Sequence, residues 1–308
     1  MLTRKTKLLL SKIFSLFSVI RGYNIFVIIL AQYLAAIFIL SPEIRALDVI
    51  LDYQLFILVL ASSLTIASGY IINNFYDAKK DLINRPRKVM IDRLVSQKTK
   101  LTVYFAINFI VALIASIVSW RAMLFFSTYI FLIWFYSHKL KKHPIIGNIT
   151  ASVLAVLPFF GILLYYKNYY HVIFAHAMFL YLLLLIRELV KDLENIEGDL
   201  VSNYKTIPVL FGEKVAKNII SVLTISTVIP VYYLVDVFNR DIGHMDIYFY
   251  ISLLILLFFL VKLRKAKTKP QYLKLHFLLK FIIVAGVFCI VLIEPSVLLH
   301  GKKLISAY

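Results

Sequence analysis

The sequence predicts an all-α polytopic membrane protein with nine transmembrane helices, its N-terminus in the cytoplasm and its C-terminus outside. Three observations predict this class. Hydrophobic residues make up 61% of the 308-residue chain, which is far above their share in soluble domains. Apolar segments long enough to cross about 30 Å of hydrocarbon recur along it. The loops between these segments are alternately rich and poor in basic residues.

The first 18 residues interleave basic and apolar side chains, with Arg4, Lys5 and Lys12 among leucine, isoleucine and phenylalanine. No small-residue cleavage site follows them. The segment therefore predicts an amphipathic helix that lies in the membrane interface, rather than a cleaved signal peptide.

Nine apolar segments then follow at lengths that suit membrane-spanning helices. They cover residues 23–40, 53–72, 101–120, 122–136, 145–166, 172–185, 219–238, 247–263 and 277–293. Little more than Arg121 separates the third segment from the fourth, so these two are predicted to form a tight helical hairpin. Pro158 and Pro230 lie inside two of the segments, and we expect each to kink its helix.

The basic residues predict the orientation, because cytoplasmic loops of membrane proteins are enriched in Lys and Arg. Of the 34 such residues, all but six fall in the N-terminal segment and in the loops after every second span. The exceptions are Arg45, Arg121, Lys167, Arg240, Lys302 and Lys303. This asymmetry predicts a multi-pass protein of the cytoplasmic membrane, surrounded by membrane lipids. It also explains the net charge of +18. Nucleic-acid binding is not needed to explain this charge, since no basic stripe with interleaved aromatics is present.

Nothing in the composition divides the chain. No low-complexity or Gly/Ser-rich linker interrupts it, so residues 1–308 are expected to form a single domain. The one cysteine, Cys289, excludes an intramolecular disulfide and a cysteine metal site. Because it lies in an apolar segment, it is expected to pack in the interior.

The first polar cluster follows the second span, where residues 73–81 read Asn-Asn-Phe-Tyr-Asp-Ala-Lys-Lys-Asp. On a helix, Asn73, Asp77 and Asp81 succeed one another at steps of four, so their oxygen atoms share one face. Two carboxylates held that close repel each other unless a cation lies between them. Clustered oxygen ligands beside a phosphate-bearing substrate are typical of a Mg²⁺ site.

A second cluster follows the sixth span, where Asp192, Asn195 and Asp199 share a helical face at steps of three and four. Both clusters fall on the predicted cytoplasmic side, so they are expected to form one split site. The four aspartates are the predicted catalytic residues. The predicted magnesium ligands are Asn73, Asp77, Asp81, Asp192, Asn195 and Asp199.

The residues around both clusters resemble two signatures of the UbiA superfamily of intramembrane prenyltransferases. In the first signature, an Asn and two Asp at four-residue spacing precede Asn-Arg-Pro, which stands here at residues 84–86. In the second, residues 187–199 are followed by Lys-Thr-Ile-Pro at 205–208. The resemblance covers almost the whole chain in the family's order. Supporting matches are Arg21, Asn24, residues 136–141 and residues 147–148.

The chain departs from the family's pattern at several positions. Asn74 stands where the family usually has Asp, Asn195 where many members have Asp, and Gly22 where Pro often follows the first-span Arg. Residues 87–89, Arg-Lys-Val, stand in place of a second Arg-Pro. Because Asn keeps an oxygen ligand but loses the negative charge, the metal site is expected to carry fewer formal charges.

The resemblance implies a UbiA-type helix bundle that transfers a polyprenyl group from its diphosphate to a membrane acceptor, with the help of Mg²⁺. The second signature is most similar to the branch that geranylgeranylates geranylgeranylglyceryl phosphate in ether-lipid synthesis. Alternatives within the family are aromatic quinone precursors and haem as acceptors. Tyr70, Tyr76 or Tyr136 is expected to stabilise the allylic cation. The expected substrate-binding residues are Asn73, Arg85, Arg87, Lys88, Lys191, Lys205, Tyr136, Arg21 and Asn24.

Two other classes of function stay open from the sequence. A transporter would use the acidic clusters as an ion or substrate pathway, although the spans hold almost no carboxylate at mid-depth. A catalytically inactive scaffold would tolerate replacement of Asp77 or Asp192. Simpler roles are expected elsewhere, with four lysines at lipid headgroups and three histidines at the interface rather than in the role of catalytic bases. These residues are Lys79, Lys80, Lys98 and Lys100, and His138, His143 and His276.

Overall fold

Every regular element that the structure describes is a helix. The structure is a computed structural model that describes residues 4–299, without the side chains of residues 4, 5, 7–9, 239, 240, 298 and 299. In chain order the α-helices are α1 (Arg4–Val19), α2 (Gly22–Ala35), α3 (Ala46–Leu51), α4 (Tyr53–Tyr76), α5 (Ala78–Asn84), α6 (Pro86–Asp92), α7 (Gln97–Val118), α8 (Trp120–His138), α9 (Ile146–Tyr166), α10 (His171–Glu194), α11 (Ile196–Val201), α12 (Ile207–Ser226), α13 (Val228–Tyr232), α14 (Asn239–Ile242), α15 (Asp246–Lys265), α16 (Lys269–Cys289) and α17 (Ser296–Leu299). Two five-residue π-helices, Ala36–Leu40 and Tyr233–Val237, continue α2 and α13.

Eight helical runs within residues 4–299 are long and apolar enough to cross a membrane. They correspond to eight of the nine predicted spans. The remaining predicted span, residues 122–136, forms the 19-residue helix α8, which is not among those eight. Several helices run well past their predicted apolar segments into charged sequence. Helix α10, for example, ends at Glu194 rather than at residue 185.

Helix α1 covers the predicted N-terminal amphipathic segment from Arg4 onward, and residues 1–3 lie outside the described range. Its Phe14 and Phe17 side chains are exposed, as expected of a helix in an interface. The Ser15 hydroxyl donates to the Ile91 carbonyl of α6 at 2.8 Å, so α1 is held against α6. The predicted external positions Lys302 and Lys303, and the side chain of Arg240, also lie outside the described residues.

Helices α7 and α8 form the predicted tight hairpin. Ser119 is the single residue between them, and its backbone is extended with φ −172° and ψ 160°. Its Oγ accepts from the Ala122 N–H at 3.0 Å and so caps α8. Both helices of the hairpin pack against α4.

Pro158 lies inside α9, where it removes one backbone donor and frees the carbonyl four residues earlier. That carbonyl belongs to Leu154, and the Tyr129 hydroxyl of α8 donates to it at 2.8 Å. Buried Gln32 of α2 donates to the Pro158 carbonyl at 3.3 Å and to Ser62 of α4 at 2.9 Å. Polar side chains therefore satisfy the interrupted backbone and tie four helices together at this level.

Helices α4 and α10 carry the two polar clusters, and both lie inside the bundle. Helix α4 packs against α7, α8 and α2, while α10 packs against α9, α12 and α16. The buried face of α10 includes Leu183, Ile186 and Val190. Burial of these apolar faces fixes the two helices, and their polar ends meet at one end of the bundle.

Candidate active site

The first cluster lies where α4 ends and α5 begins. Asp77 stands between the two helices with φ −85° and ψ 1°. Hydrogen bonds at the helical spacing continue across this break, from the Asp77 N–H to the Asn73 carbonyl at 2.9 Å and from the Asp81 N–H to the Asp77 carbonyl at 2.8 Å. The three side chains therefore line the same cavity despite the bend.

The second cluster repeats this arrangement where α10 ends and α11 begins. Asn195 stands between the helices, and the Asp199 N–H donates to its carbonyl at 3.0 Å. The Asn148 amide of α9 donates to Asp192 Oδ2 at 2.7 Å and orients that carboxylate. Asn195 donates to the Lys191 carbonyl at 2.6 Å, which fixes its amide nitrogen and leaves the amide oxygen for another partner.

Lysine side chains join the two clusters. Lys80 of α5 forms an ion pair with Asp199 of α11, and the two short helices pack against each other. Lys141, from the loop between α8 and α9, donates to Asp77 Oδ1 at 2.7 Å. The Tyr204 hydroxyl, from the loop after α11, donates to the same oxygen at 2.9 Å. The first cluster is thus bonded to three separate parts of the chain.

A cavity of about 290 Å³ lies between the two clusters. Charged groups surround its mouth, including Asp77, Asp81, Asp192 and Arg85. Its inner part is apolar and reaches into the bundle between α2, α4, α8 and α9. The apolar lining includes Ile28, Ile66, Ile133, Leu154, Ala155 and Pro158. The cavity therefore suits an amphiphile with an anionic head and an apolar tail.

The charges at the mouth are strongly coupled. Burial by itself would raise the pKa of the Asp77 carboxyl, but Lys141 and Lys80 more than offset burial, so this pKa lies below its ordinary value. Burial likewise opposes protonation of Lys80, but Asp199 and Asp77 hold its pKa above the ordinary value. Asp81 differs, because burial and the neighbouring Asp77 charge raise its pKa. Asp77 is therefore neutralised by lysines, while Asp81 is not.

The sequence profile of the UbiA prenyltransferase family matches residues 15–292. The chain belongs to the UbiA prenyltransferase family. Digeranylgeranylglyceryl phosphate synthase of Methanobrevibacter smithii is 30% identical to it over 294 residues, which cover 88% of this chain and 97% of the relative. The predicted family and enzyme class are thereby confirmed, and this UbiA prenyltransferase is an enzyme of prenyl transfer rather than a transporter.

Solved structures establish the UbiA-type fold. One, from work on digeranylgeranylglyceryl phosphate synthase in membranes, has a TM-score of 0.69 at 18% identity and covers 91% of this chain and 97% of its own. A UbiA homologue from Archaeoglobus fulgidus bound to GPP and Mg²⁺ has a TM-score of 0.65 at 16% identity, with 90% and 99% covered. The predicted all-helical UbiA bundle is confirmed at this level.

Most of the predicted site residues of this UbiA prenyltransferase line the cavity. They are Asn73, Asp77, Asp81, Arg85, Lys191, Asp192, Asn195, Tyr136 and Arg21. Asp199 is fully buried behind Lys80 and does not reach the cavity wall. Asn24 lies one contact away, donating to the Tyr70 hydroxyl at 3.5 Å. Three predicted cations lie off the cavity lining, with Arg87 and Lys205 exposed and Lys88 paired with Asp92.

The sequence predictions missed several polar residues that line the cavity of this UbiA prenyltransferase. They are Lys80, Lys141, Asn148, Arg187, Tyr204 and His276. The expectation that Lys80 faces lipid headgroups is wrong, since it pairs with Asp199. The same expectation is wrong for Lys100, which is 2% exposed and donates to Asn74 at 2.8 Å. Lys141 and Asn148 lie within motifs that match the family, and this match could have identified them as site residues.

Five of the six predicted metal ligands of this UbiA prenyltransferase line the cavity in two groups, and Asp199 lies behind Lys80. Within residues 4–299, no three or more His, Cys, Asp or Glu side chains lie close enough together to hold a metal ion. Lys80 and Lys141 lie at the carboxylates of Asp199 and Asp77, where a cation would otherwise bind. The ligand set therefore stays a prediction.

Proposed function

We propose that this prenyltransferase moves a geranylgeranyl group from its diphosphate to geranylgeranylglyceryl phosphate and releases diphosphate with the help of Mg²⁺. The observation that carries the proposal is the single cavity with a charged mouth at both aspartate clusters and an apolar interior. The name of the Methanobrevibacter smithii relative supports the acceptor. Aromatic quinone precursors and haem are the alternative acceptors.

The residues at the mouth fit magnesium by their chemistry. Among the described residues, Asp81 makes no ion pair or hydrogen bond with its side chain, although burial raises its pKa. Asp192 is bound by Asn148 alone. These two carboxylates, one from each cluster, can accept a cation without first releasing a lysine. The ligands that would hold magnesium are Asn73, Asp77, Asp81, Asp192, Asn195 and Asp199, as predicted. When bound, magnesium supplies positive charge to the leaving diphosphate.

Basic side chains at the mouth can bind the diphosphate oxygens directly. Arg85 and Arg187 present guanidinium groups, which suit forked contacts with phosphate. Arg21 is held in the left-handed region with φ 52° and ψ 54°, a conformation that costs a non-glycine residue about 1–3 kcal/mol. Its guanidinium carbon lies 5.0 Å from the centroid of the Tyr70 ring, so the strained backbone directs a cation to the cavity.

The apolar interior would bind the prenyl chain and exclude water, which would otherwise quench an allylic cation. Of the three aromatic residues predicted to stabilise that cation, Tyr70 and Tyr136 line the cavity and Tyr76 does not. The Tyr70 ring already makes a cation–π contact with Arg21. Tyr136 is therefore the best candidate for a cation–π contact with the substrate.

The membrane arrangement is part of the proposal. Nine spans, with α8 as the fourth, an N-terminus in the cytoplasm and a C-terminus outside, would put both clusters on the cytoplasmic side. The distribution of Lys and Arg supports this orientation, and the hairpin at Ser119 supports the pairing of α7 with α8. We further propose that residues 1–308 act as one domain.

The experiment that tests this function offers several acceptors to one enzyme preparation. Purified protein in detergent is incubated with Mg²⁺, labelled geranylgeranyl diphosphate and, separately, geranylgeranylglyceryl phosphate, a dihydroxynaphthoate and a hydroxybenzoate. We expect an ether product from the glyceryl phosphate and equimolar diphosphate release. Product from only an aromatic acceptor would overturn the proposed acceptor.

A further inference from the structure

A histidine and a glutamate form a hydrogen-bonded pair at the cavity. His276 of α16 lines the cavity, and its Nδ1 lies 2.8 Å from Oε2 of Glu194 at the end of α10. Glu194 is 6% exposed, and its other oxygen, Oε1, lies 3.5 Å from the Arg85 guanidinium. The glutamate is thus held between a cation and the imidazole.

This contact determines which imidazole nitrogen can accept a proton. A carboxylate beside Nδ1 stabilises the proton on that nitrogen, which leaves the lone pair on Nε2. Within the described residues, Nε2 of His276 has no hydrogen-bond partner. The side chain is 12% exposed, so the ring is held in place without being sealed off. A histidine oriented by a buried carboxylate in this way is equipped to act as a base.

We propose that His276 is the base that accepts the proton from the acceptor, and that Glu194 is the positioning residue that orients and stabilises it. This proposal rests on the proposed function, in which the nucleophile is a hydroxyl group. The bond between the allylic carbon and the diphosphate oxygen breaks, and both electrons stay on that oxygen. The acceptor oxygen forms the new bond to carbon, and its proton moves to Nε2 of His276. Water then removes the proton.

Other basic groups at the mouth are less suited to this step. Asp77 is bonded to Lys141 and Tyr204, and Asp199 is paired with Lys80, so both carboxylates are weakened as proton acceptors. Asp81 and Asp192 have no lysine partner, but in the proposed function these two carboxylates would hold magnesium, which competes with a proton. Lys141 and Lys80 are themselves engaged as donors. His276 differs because its free nitrogen carries a lone pair and its partner stabilises the charged product.

The charged groups that face His276 come from α10 and from the residue between α5 and α6. Helix α10 contributes Arg187, Glu188 and Glu194. Arg85, the residue between α5 and α6, forms an ion pair with Glu194. The two carboxylates favour the imidazolium and the two guanidinium groups oppose it. Removing Glu194's charge should therefore make His276 a weaker base.

The test compares His276→Ala, His276→Gln and Glu194→Gln with wild type in detergent, with saturating Mg²⁺, geranylgeranyl diphosphate and geranylgeranylglyceryl phosphate. For both His276 variants we expect kcat to fall about 10²–10³-fold, with KM for the diphosphate substrate changed by less than about threefold. In wild type, kcat should rise with pH on the acid side as His276 loses its proton, and this rise should disappear in both His276 variants. In Glu194→Gln the rise should move to lower pH, because His276 is then a weaker base. The control is His244→Gln, an exposed histidine in the turn before α15 that lines none of the cavities described.

Two readouts separate a base from a structural residue. Added imidazole should restore product formation to His276→Ala by at least about tenfold, because the small base can enter the space left by the ring. Thermal unfolding and size-exclusion profiles of His276→Gln should match those of wild type. Wild-type kcat in His276→Gln, or a reduced kcat with an unchanged pH profile and no response to imidazole, would overturn the proposal.

The failure of the proposed function gives a different result. If wild type alkylates only an aromatic acceptor, the ether-lipid function is wrong, whereas every His276 variant can still be compared on that acceptor. Removal of a ring or phenol proton also requires a base, so the imidazole response decides the role of His276 in that case too. A response supports the base, and its absence overturns it.

Discussion

Lys141 donates from one ammonium group to Asp77 Oδ1 at 2.7 Å and to Asn73 Oδ1 at 3.0 Å. Its side chain is only 6% exposed. The loop between α8 and α9 is therefore part of the first aspartate cluster, although 64 residues separate Lys141 from Asp77. In this state a lysine supplies the positive charge that the paired oxygens require.

Replacement of Lys141 by methionine should destabilise the protein and make it depend more on magnesium. Removing one partner of a buried ion pair leaves the other charge uncompensated, at a cost of about 3–5 kcal/mol in the free energy of unfolding. Thermal unfolding in detergent, with and without Mg²⁺, measures this. Added Mg²⁺ should stabilise Lys141→Met more than wild type. The neighbouring exposed Lys142→Met is the control, with an expected change below about 0.5 kcal/mol. Equal Mg²⁺ stabilisation in wild type and Lys141→Met would contradict the prediction.

Asn74 should support the structure rather than bind metal. It accepts from Lys100 at 2.8 Å and donates to Asp92 at 2.9 Å, away from the cavity. Asn74→Ala should lower the free energy of unfolding by about 2–3 kcal/mol, because it leaves a buried ammonium group without its partner. Asn74→Asp restores the residue usual in the family and should shift the Mg²⁺ concentration for half-maximal activity by less than about threefold. A larger shift would mean that position 74 faces the metal.

The contact between α5 and α11 should determine how the first and second polar clusters are positioned relative to each other. A Cβ added at Gly198 would collide with the side chain of Asn84, whose amide atoms have no partner among the described residues. Gly198→Ala should therefore cost about 1–3 kcal/mol and lower kcat/KM. In the double variant Asn84→Ala/Gly198→Ala the clash is absent, so stability and activity should recover relative to Gly198→Ala. Additive losses would show that the clash is not the cause.

The local part of the site could be predicted from the sequence. Asn73, Asp77 and Asp81 line one cavity because helical hydrogen bonding continues through the break at Asp77. Their four-residue spacing along the chain is enough to place these three side chains on one side of the helix. The helix ends were harder to predict, because α10 continues to Glu194 through charged residues that satisfy one another at the surface of the cavity.

The long-range contacts could not be predicted from spacing. Lys100 was expected to lie at the lipid headgroups, yet it donates to Asn74 of another helix, which in turn donates to Asp92, and this chain of hydrogen bonds allows Lys100 to be buried. Asp199 shares a helical face with Asp192, but its pairing with Lys80 withdraws it from the cavity wall. Such pairs depend on how the helices pack.

In the proposed function the two aspartate clusters act as one site, and a double-mutant cycle on Asp77 and Asp192 tests this most directly. The cycle measures kcat/KM for prenyl transfer in Asp77→Ala, Asp192→Ala and the double variant, with thermal unfolding as the check on folding. The exposed Asp48→Ala in α3 is the control. Each single replacement should lower kcat/KM at least about 10²-fold, and the double variant should be little worse than either. Turnover at the wild-type rate in either single variant, or losses that multiply fully in the double variant, would contradict a single split site.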